Sequence, residues 1–306
     1  MSKQPKLKSR KIIKVKPKSK PTHAQLESKY PVLKALKLMS KAEKKQQIQA
    51  KNEILLDNHH NIQKFFLVSK QNARFLRFSK RSLMEASSAL QAKQTTNLIK
   101  KYLGDLKTLC ITETSAGIGG NTQSFAKSFA KCQPIEYDVN NVAFLRNNMR
   151  VVNKKYDHIH IHSGNCLNIL PTLQQDVIFM DPPWGGTDYK TNKMSLEYKD
   201  SSGKPIDVSQ ITREYSSNAN LIVLKVPYNF DKQTFFAKTG CSLRNHYVVD
   251  FICQWGKVIY QLIFMSDALP KQRIPQQIKS LRLGFKSMPT TIVRKKEKSY
   301  PFYNRC

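Results

Sequence analysis

The chain has 306 residues, and its 52 lysines and arginines against 21 aspartates and glutamates give a formal net charge of +31 at pH 7. That length allows one or two domains with a sizeable core, and so large an excess of positive charge favours a polyanionic partner, RNA or DNA before an anionic membrane. No apolar run approaches the roughly 20 residues that a membrane-spanning helix needs, and no apolar segment follows the basic N-terminus as in a secretory signal, so a nuclear or cytoplasmic protein without a membrane partner is predicted.

The N-terminal third is basic and predicted to be largely helical. Residues 1–22 hold nine lysines and arginines and no acid, which is typical of a disordered tail serving as a nucleic-acid tether, a nuclear-import signal or only a solvated arm. Residues 23–105 are predicted to form a helical extension. Its segment 62–85 interleaves phenylalanines with bases, either to stack on RNA or to form core beneath a solvated face. One helix is expected to start after Ser87 or Ser88 and to end at Gly104.

Strands and helices then alternate, which predicts an α/β fold with a seven-stranded, mostly parallel sheet and helices on both faces. The domain is expected to span residues 106–268, with a basic C-terminal extension over 269–306. Residues 187–218 are polar and predicted to form a long loop that acts as a lid. The seven predicted strands are Leu109–Thr112, the strand that ends in Ile135–Asp138, His158–His162, Asp176–Met180, Leu221–Val226 and the closing pair near 246–253 and 257–265.

Neither the histidines nor the cysteines predict a metal site or a disulfide. His158, His160 and His162 alternate and share one strand face, but no fourth ligand accompanies them, so packing or solvation is the favoured interpretation. The absence of a Cys-x-x-Cys pair favours reduced thiols, and a monomer is expected. The six cysteines are Cys110, Cys132, Cys166, Cys241, Cys253 and Cys306.

The segment Asp181-Pro182-Pro183-Trp184 is the strongest candidate for a catalytic site. It follows the apolar run 177–180 and precedes two glycines, so it is expected at the carboxyl end of a strand, where ligands bind in open α/β sheets. The chemistry that suits it is methylation of an exocyclic amine on a base. Asp181 and the Pro182 carbonyl would accept hydrogen bonds from the amine, and Trp184 would stack on the base, for about 1–3 kcal/mol.

A glycine-rich turn after the first strand predicts the cofactor site, because glycines let backbone N–H groups approach a ligand closely. The acid before the turn, Glu113, favours S-adenosylmethionine over a dinucleotide, since it would bind the methionine ammonium and repel a pyrophosphate. Asp138 is expected to hold the ribose hydroxyls and Asn165 the adenine amine. This set in order, ending at the Asp-Pro-Pro-Trp segment, predicts a class I methyltransferase (Rossmann-like) fold. The predicted cofactor contacts are Glu113, Ser115, Ala116, Gly117, Gly119, Gly120, Asp138, Val139, Asn165, Cys166 and Asp181.

Four segments resemble the trimethylguanosine synthase family, which methylates the N2 amine of 7-methylguanosine RNA caps. They are Glu113–Thr122, Asp138-Val139, Arg146-Asn147-Asn148 and the run from Asp181 to Tyr189. The resemblance covers roughly residues 62–265. It implies S-adenosylmethionine as cofactor, capped RNA as partner and a role for 23–105 in binding that RNA.

The same resemblance implies the substrate contacts Trp184, Lys64, Ser88, Lys225 and Asn229. Trp184 would stack on the cationic 7-methylguanine, with a cation–π contribution of about 1–2 kcal/mol. Lys64 and Ser88 match cap-phosphate contacts. Tyr228 stands where the family has a phosphate-binding arginine, so Lys225 or a lysine of the loop is expected to replace it.

Two alternatives stay open. One is an N6-adenine or N2-guanine methyltransferase that acts on internal RNA or DNA, since an Asp-Pro-Pro-aromatic segment serves those enzymes too. The other is an RNA-binding protein that keeps the fold without catalysis, which would bind RNA in a salt-sensitive way and would not bind S-adenosylmethionine.

Overall fold

A computed structural model describes residues 62–153, 156–184, 195–240, 245–252, 257–266 and 280–282. The predicted tail 1–22, residues 23–61 and the chain beyond 282 lie outside these ranges. None of the helices within them is both long and apolar enough to cross a bilayer. The helices are α1 (Lys70–Ala73), α2 (Lys80–Glu85), α3 (Ala89–Leu103), α4 (Thr122–Ser128), α5 (Val139–Val152), α6 (Cys166–Ile169), α7 (Val208–Tyr215) and α8 (Lys232–Thr239). The strands are β1 (Cys110–Glu113), β2 (Lys131–Glu136), β3 (His162–Ser163), β4 (Val177–Met180), β5 (Glu197–Lys199), β6 (Pro205–Asp207), β7 (Leu221–Pro227), β8 (Asn245–Ile252), β9 (Val258–Ser266) and β10 (Ser280–Arg282).

Helix α3 begins and ends where the sequence indicates. The hydroxyl of Ser88 accepts a hydrogen bond from the N–H of Gln91, and the Gln91 side chain accepts one from the N–H of Ser88. This reciprocal cap satisfies two donors that a helix N-terminus otherwise leaves unpaired. Gly104 ends the helix with a φ of 90°, a conformation that favours glycine.

The main sheet has the strand order β10-β8-β9-β7-β4-β1-β2-β3. Strand β9 runs antiparallel to both neighbours, and the other neighbouring strands are parallel. The predicted α/β fold with a mostly parallel sheet is therefore confirmed. The main sheet has eight strands within the described residues where seven were predicted, because β10 pairs with the open edge of β8, whose backbone N–H and C=O groups would otherwise lack strand partners.

The predicted third strand is shorter than expected. Only His162 and Ser163 pair with β2, and an isolated bridge joins Ile159 to Cys132. The ring of His158 lies with Nε2 2.6 Å from the carbonyl oxygen of Ala126, so it packs against the chain. Within the described ranges, no group of three or more histidines, cysteines or acids is placed to hold a metal ion.

Alternate residues of the central strands enter two different hydrophobic clusters. Val177 and Phe179 of β4 belong to one, and Ile178 and Met180 to the other. Successive side chains of a strand point to opposite faces, so the clusters cover the two faces of the sheet. The first cluster also contains most of the apolar side chains of residues 62–106, which makes three of the four phenylalanines of 62–85 core residues instead of a stacking surface for RNA. Its buried phenylalanines from that segment are Phe65, Phe66 and Phe78.

The described part of the predicted lid, 195–218, is regular structure. Strands β5 and β6 form an antiparallel hairpin, and α7 follows directly. Leu196 and Tyr198 are buried beneath the hairpin, and Ile211 and Tyr215 beneath the helix. The loop prediction was wrong here because these apolar residues are few and widely spaced, yet they recur at strand and helix periods.

Candidate active site

The carboxyl ends of β1 and β4 meet at the centre of the site. The two strands are parallel neighbours, with Glu113 level with Phe179, so the residues that follow them lie side by side. The N–H of Thr114 donates to the carbonyl of Phe179 over 3.0 Å, and the Ser115 hydroxyl donates to the carbonyl of Asp181 over 2.7 Å. The glycine-rich turn and the Asp-Pro-Pro-Trp segment are thus held together, as the sequence predicts.

Glu113 is a buried carboxyl group with an unsatisfied oxygen. Its side chain is 1% exposed. The hydroxyl of Thr122 donates to Oε2 over 2.6 Å, while Oε1 has no hydrogen-bond partner among the described residues. Burial raises the pKa of Glu113 to about 8, against the opposing effect of the Thr122 hydrogen bond. A buried acceptor of this kind is costly without a partner, so the site favours a ligand that donates hydrogen bonds to Oε1.

The glycines of the turn have different roles. Gly117 has a φ of 55° and open space where a Cβ would stand, so it leaves room for a ligand. A Cβ on Gly119 would lie 2.5 Å from the Met149 methyl group, and one on Gly120 would lie 2.7 Å from the carbonyl oxygen of Ser87. Gly119 and Gly120 therefore serve close packing of the turn against α5 and against the start of α3.

The acid that faces the turn from β2 is Glu136, not the predicted Asp138. Asp138 is exposed and accepts hydrogen bonds from the N–H groups of Asn140 and Asn141, which makes it the N-cap of α5. Glu136 is 8% exposed and accepts a 2.7 Å hydrogen bond from the N–H of Gly117. Burial raises the pKa of Glu136. The sequence signal for Glu136 was its position as the last residue of the strand, which the second acid two residues later obscured.

Two other predicted cofactor residues, Val139 and Ala116, differ in their exposure to solvent. Val139 is 64% exposed at the start of α5. Ala116 is buried in the turn, with its N–H bonded to the carbonyl of Ile135 at 2.9 Å. The turn thus runs directly over the end of β2.

Asn165 and Cys166 lie at the end of β3. Asn165 caps α6 through the N–H of Leu167, and its amide nitrogen donates to the carbonyl of Lys199 over 2.7 Å. Cys166 is buried, and burial raises the pKa of its thiol to about 12. The Asn165 side chain is thus already engaged twice, whereas the sequence predicts it as an adenine contact.

The residues of the Asp-Pro-Pro-Trp segment differ in their exposure to solvent. Pro182 is buried and Pro183 exposed. Trp184 is partly buried and packs against both hydrophobic clusters, which places its indole at the edge where the faces of the sheet meet. The glycines that follow, and the Asp-Tyr pair at 188–189, lie outside the described residues.

Lys225 on β7 is not open to solvent, in contrast to its predicted contact with cap phosphates. Its Nζ lies 2.7 Å from Asp181 Oδ2 and donates to the Ser87 hydroxyl over 2.9 Å. The residue is 7% exposed. Because the ammonium is already paired inside the site, its placement argues against the phosphate role.

The other predicted substrate residues lie at the site's rim. The carbonyl of Lys64 accepts a 2.8 Å hydrogen bond from the N–H of Ala89, so the exposed Lys64 lies beside Ser88, the N-cap of α3. Asn229 is partly buried just after β7, and Tyr228 is 44% exposed.

Sequence reasoning missed Tyr198 as a site residue. Its hydroxyl is hydrogen-bonded to that of Thr114 and lies 3.4 Å from that of Ser115. Together with the bond from Asn165 to the Lys199 carbonyl, this ties the β5–β6 hairpin to both ends of the crevice. No local sequence pattern predicts a contact between residues that are more than 80 positions apart.

The Arg-Asn-Asn segment of the resemblance holds the N-terminal helices on the domain. Asn148 is fully buried. Its side chain bonds to both the N–H and the carbonyl of Arg77, at 2.8 and 2.9 Å, and donates to the carbonyl of Ile118 over 3.1 Å. One amide thus joins residues 62–105 to the glycine-rich turn.

The sheet order and the crevice at the carboxyl ends of β1, β2 and β4 define a class I methyltransferase fold. A Porphyromonas gingivalis protein assigned as a methyltransferase is similar in structure, with a TM-score of 0.54 at 15% identity over 76% of this chain and 54% of that one. A Listeria monocytogenes protein assigned to the class I S-adenosylmethionine-dependent methyltransferases has a TM-score of 0.50 at 13% identity over 80% of each chain.

A sequence model of the RNA cap guanine-N2 methyltransferase family matches residues 108–268, just over half of the chain, and the chain belongs to that family. An uncharacterized protein of Acanthamoeba polyphaga mimivirus is 32% identical over 135 residues, 43% of this chain and 51% of that protein. The trimethylguanosine synthase of Saccharomyces cerevisiae is 24% identical over 170 residues, 49% of this chain and 52% of that protein. The chain thus spans about half the length of these curated relatives. The family predicted from the motifs is confirmed.

The residues present fit the S-adenosylmethionine that this class implies. The unpartnered Oε1 of Glu113 suits a cationic ammonium group, and the open space at Gly117 lets a ligand approach the backbone. Glu136, at the end of β2, is positioned for ribose hydroxyls.

The raised pKa of Glu113 predicts that cofactor binding releases a proton. A carboxyl group with a pKa near 8 is largely protonated at pH 7, and an ammonium ligand favours its ionised form. Cofactor affinity should therefore rise with pH up to about 8, by as much as about tenfold per unit. Calorimetry at pH 7 in buffers of different ionisation enthalpy counts the protons released.

Glu113→Gln is the matched control, since it keeps the shape and removes the titration. It should bind the cofactor weakly, without proton release. The pKa of Glu113 is higher in the folded protein than its ordinary value of 4.5. The stability that Glu113 contributes is therefore fully present below about pH 4.5 and is lost as the pH rises through about 8. Melting curves of the free protein should show this loss in the wild type and not in the variant. Equal proton release by both proteins would contradict the assignment.

Proposed function

We propose that the protein transfers a methyl group from S-adenosylmethionine to the N2 amine of the 7-methylguanosine cap of an RNA. The observation that carries the proposal is the placement of Asp181 and Trp184 at the carboxyl end of β4, next to the buried Glu113 on β1. Asp181 can accept a hydrogen bond from an amine, Trp184 can stack on a base, and Glu113, when ionised, can pair with the ammonium group of S-adenosylmethionine. All three side chains lie in one site. The family match and the yeast relative named trimethylguanosine synthase support the choice of guanine N2.

On the cofactor side, each residue is assigned a role by its position. Glu113 Oε1 would accept from the methionine ammonium, and Glu136 would accept from the ribose hydroxyls. The backbone at Gly117 would approach the ligand, and the chain at Asn165 and Cys166 would border the adenine. The bound cofactor supplies a methyl group already activated by a sulfonium centre.

On the substrate side, Asp181 and the Pro182 carbonyl would accept hydrogen bonds from the N2 amine and aim its lone pair. Trp184 would stack on the purine. Positioning and exclusion of water then supply most of the rate enhancement. No strong base is required, because the proton leaves the nitrogen more readily once methylation has made it cationic.

We propose that residues 62–105 are part of this methyltransferase unit and carry the RNA side of the site. Lys64 and Ser88 meet at the start of α3, where the positive end of the helix dipole and a lysine side chain suit a phosphate. The Ser87 hydroxyl next to them is bonded to Lys225, so this end of the helix adjoins the catalytic residues. The cap phosphates would bind here.

The test compares one transcript in three forms: with a 7-methylguanosine cap, with an unmethylated guanosine cap and with a 5′ triphosphate. Each is incubated with methyl-labelled cofactor, digested and analysed for labelled nucleosides. Label is expected in N2-methylated cap nucleosides of the first RNA, and Asp181→Ala should lose it.

Label in internal guanosine or adenosine would instead identify an internal-base methyltransferase. Salt-sensitive RNA binding with no transfer and no cofactor binding would identify a non-catalytic RNA-binding protein. Either result rejects the cap assignment.

A further inference from the structure

Lys225 is a charged residue inside the central sheet. Strand β7 lies between β4 and β9, and all seven of its residues are buried. The β4–β7 register pairs Met180 with Leu224, so Lys225 stands level with Asp181. Its Nζ reaches Asp181 Oδ2 at 2.7 Å, and the two side chains are only 9% and 14% exposed.

The buried pair of Lys225 and Asp181, taken together, is not expected to add to the stability of the sheet. Taking an ammonium and a carboxylate out of water costs about as much as their attraction returns, and apolar residues of similar volume often replace a buried pair without loss. The neighbours of Lys225 on the strand, Leu224 and Val226, are fully buried. A methionine at 225 would continue this apolar strand. The charge of Lys225 is therefore expected to have a role in the active site.

Lys225 is the cation that faces Asp181 among the described residues. The other titratable groups that act electrostatically with Asp181 are Glu113 on β1, Tyr198 on β5 and Tyr260 on β9, none of which carries positive charge. Burial raises the pKa of Asp181, and Lys225 opposes that rise through its charge and its hydrogen bond. Without the lysine, nothing charged offsets the burial.

We propose that Lys225 is a positioning residue that keeps the Asp181 carboxylate ionised and fixed in orientation toward the target amine. The proposal rests on the proposed function in one respect, namely that Asp181 accepts a hydrogen bond from that amine. A protonated Asp181 would place an O–H where an acceptor is needed.

The same ammonium connects the base site to the N-terminal helices. Besides Asp181 it donates to the hydroxyl of Ser87, the residue before the α3 cap Ser88. It also lies 5.4 Å from the ring centroid of Trp184 and 5.2 Å from that of Tyr260. Lys225 is thus surrounded by groups that fix its position, as a residue that orients another must be.

The test measures the pH dependence of kcat at saturating cofactor, where Glu113 is already engaged. In Lys225→Met the acid limb of the profile should move upward by about 1–3 pH units, the amount by which a neighbouring opposite charge lowers the pKa of a carboxyl group. Activity should be low at pH 7 and recover as the pH rises. Lys225→Arg, which keeps the charge, should stay close to the wild-type profile.

Lys238→Met is the matched control, because Lys238 forms an exposed pair with Asp207 at 3.0 Å in the same fold, away from the reacting groups. Its profile should match the wild type. An equal loss of activity at every pH in a folded Lys225→Met protein would overturn the proposal, because the lysine would then serve structure alone.

A second measurement does not depend on turnover. With the aspartate carboxyl carbons labelled with ¹³C, the Asp181 resonance is the one missing in Asp181→Asn, and its titration should move upward in Lys225→Met but not in Lys238→Met. An unchanged titration overturns the role of Lys225. A shifted titration in a protein that methylates no RNA would reject the proposed function and leave the effect of Lys225 on Asp181 intact.

Discussion

Trp184→Ala is expected to abolish methyl transfer while S-adenosylmethionine still binds. Stacking of a base on an aromatic side chain contributes about 1–3 kcal/mol, which alone corresponds to a loss of roughly 5- to 160-fold in kcat/KM. The target amine would also lose its alignment with the donor, which costs more. Steady-state kinetics with capped RNA, together with calorimetry of cofactor binding, measure the two effects separately.

Trp184→Phe keeps a ring for stacking and should retain a substantial part of the activity. Because Trp184 packs against both hydrophobic clusters, melting curves of both variants must accompany the kinetics. Loss of cofactor binding in a folded Trp184→Ala protein would show that the indole serves the donor and not the base.

A chain that begins at residue 108, where the family match begins, is expected not to fold. Residues 62–106 supply much of the cluster on one face of the sheet, and truncation of a buried phenylalanine alone costs about 3–5 kcal/mol. Several such losses exceed the roughly 5–15 kcal/mol that stabilise a domain. Circular dichroism and solubility would measure the outcome. The buried side chains removed are Ile62, Phe65, Phe66, Ala73, Leu76, Phe78, Leu98, Ile99, Tyr102 and Leu106.

Two neighbouring residues provide a matched pair of point variants in the full chain. Phe66 is 0% exposed and Leu67 is 57% exposed. Phe66→Ala should lower the free energy of unfolding by about 3–5 kcal/mol, whereas Leu67→Ala should change it by less than about 0.5 kcal/mol. A soluble, cooperatively folded chain from residue 108, or equal effects of the two point variants, would show that the helices are an independent appendage.

Local chemistry explains which parts of the fold were predictable. The cap at Ser88 and the turn at Gly104 are decided by a few consecutive residues, so the bounds of α3 could be read directly. The apolar runs of β4 and β7 likewise identify buried strands. The prediction for β3 was too long because alternate histidines resemble a strand face, while the structure forms a strand against β2 only at His162 and Ser163.

The candidate site was predictable in outline because its parts follow successive strands, and parallel strands end at one edge. The contacts between side chains within the site were not predictable from the sequence. Lys225 is 44 residues from Asp181, and Tyr198 lies 84 residues from Thr114, so only the folded chain pairs them. Between Glu136 and Asp138 the choice depends on which acid ends the strand and which caps the helix, a difference of two positions.

The position of Lys225 over the Trp184 ring has a consequence for selectivity. An aromatic ring attracts cations through the negative charge of its faces, and this indole already has an ammonium 5.4 Å from its centroid. A second cation stacking on the opposite face gains less, because the two positive charges repel each other through the ring. In the proposed reaction the indole alone would therefore distinguish methylated from unmethylated guanine weakly, and a preference for the positively charged base would come from the acids and backbone carbonyls around its edge.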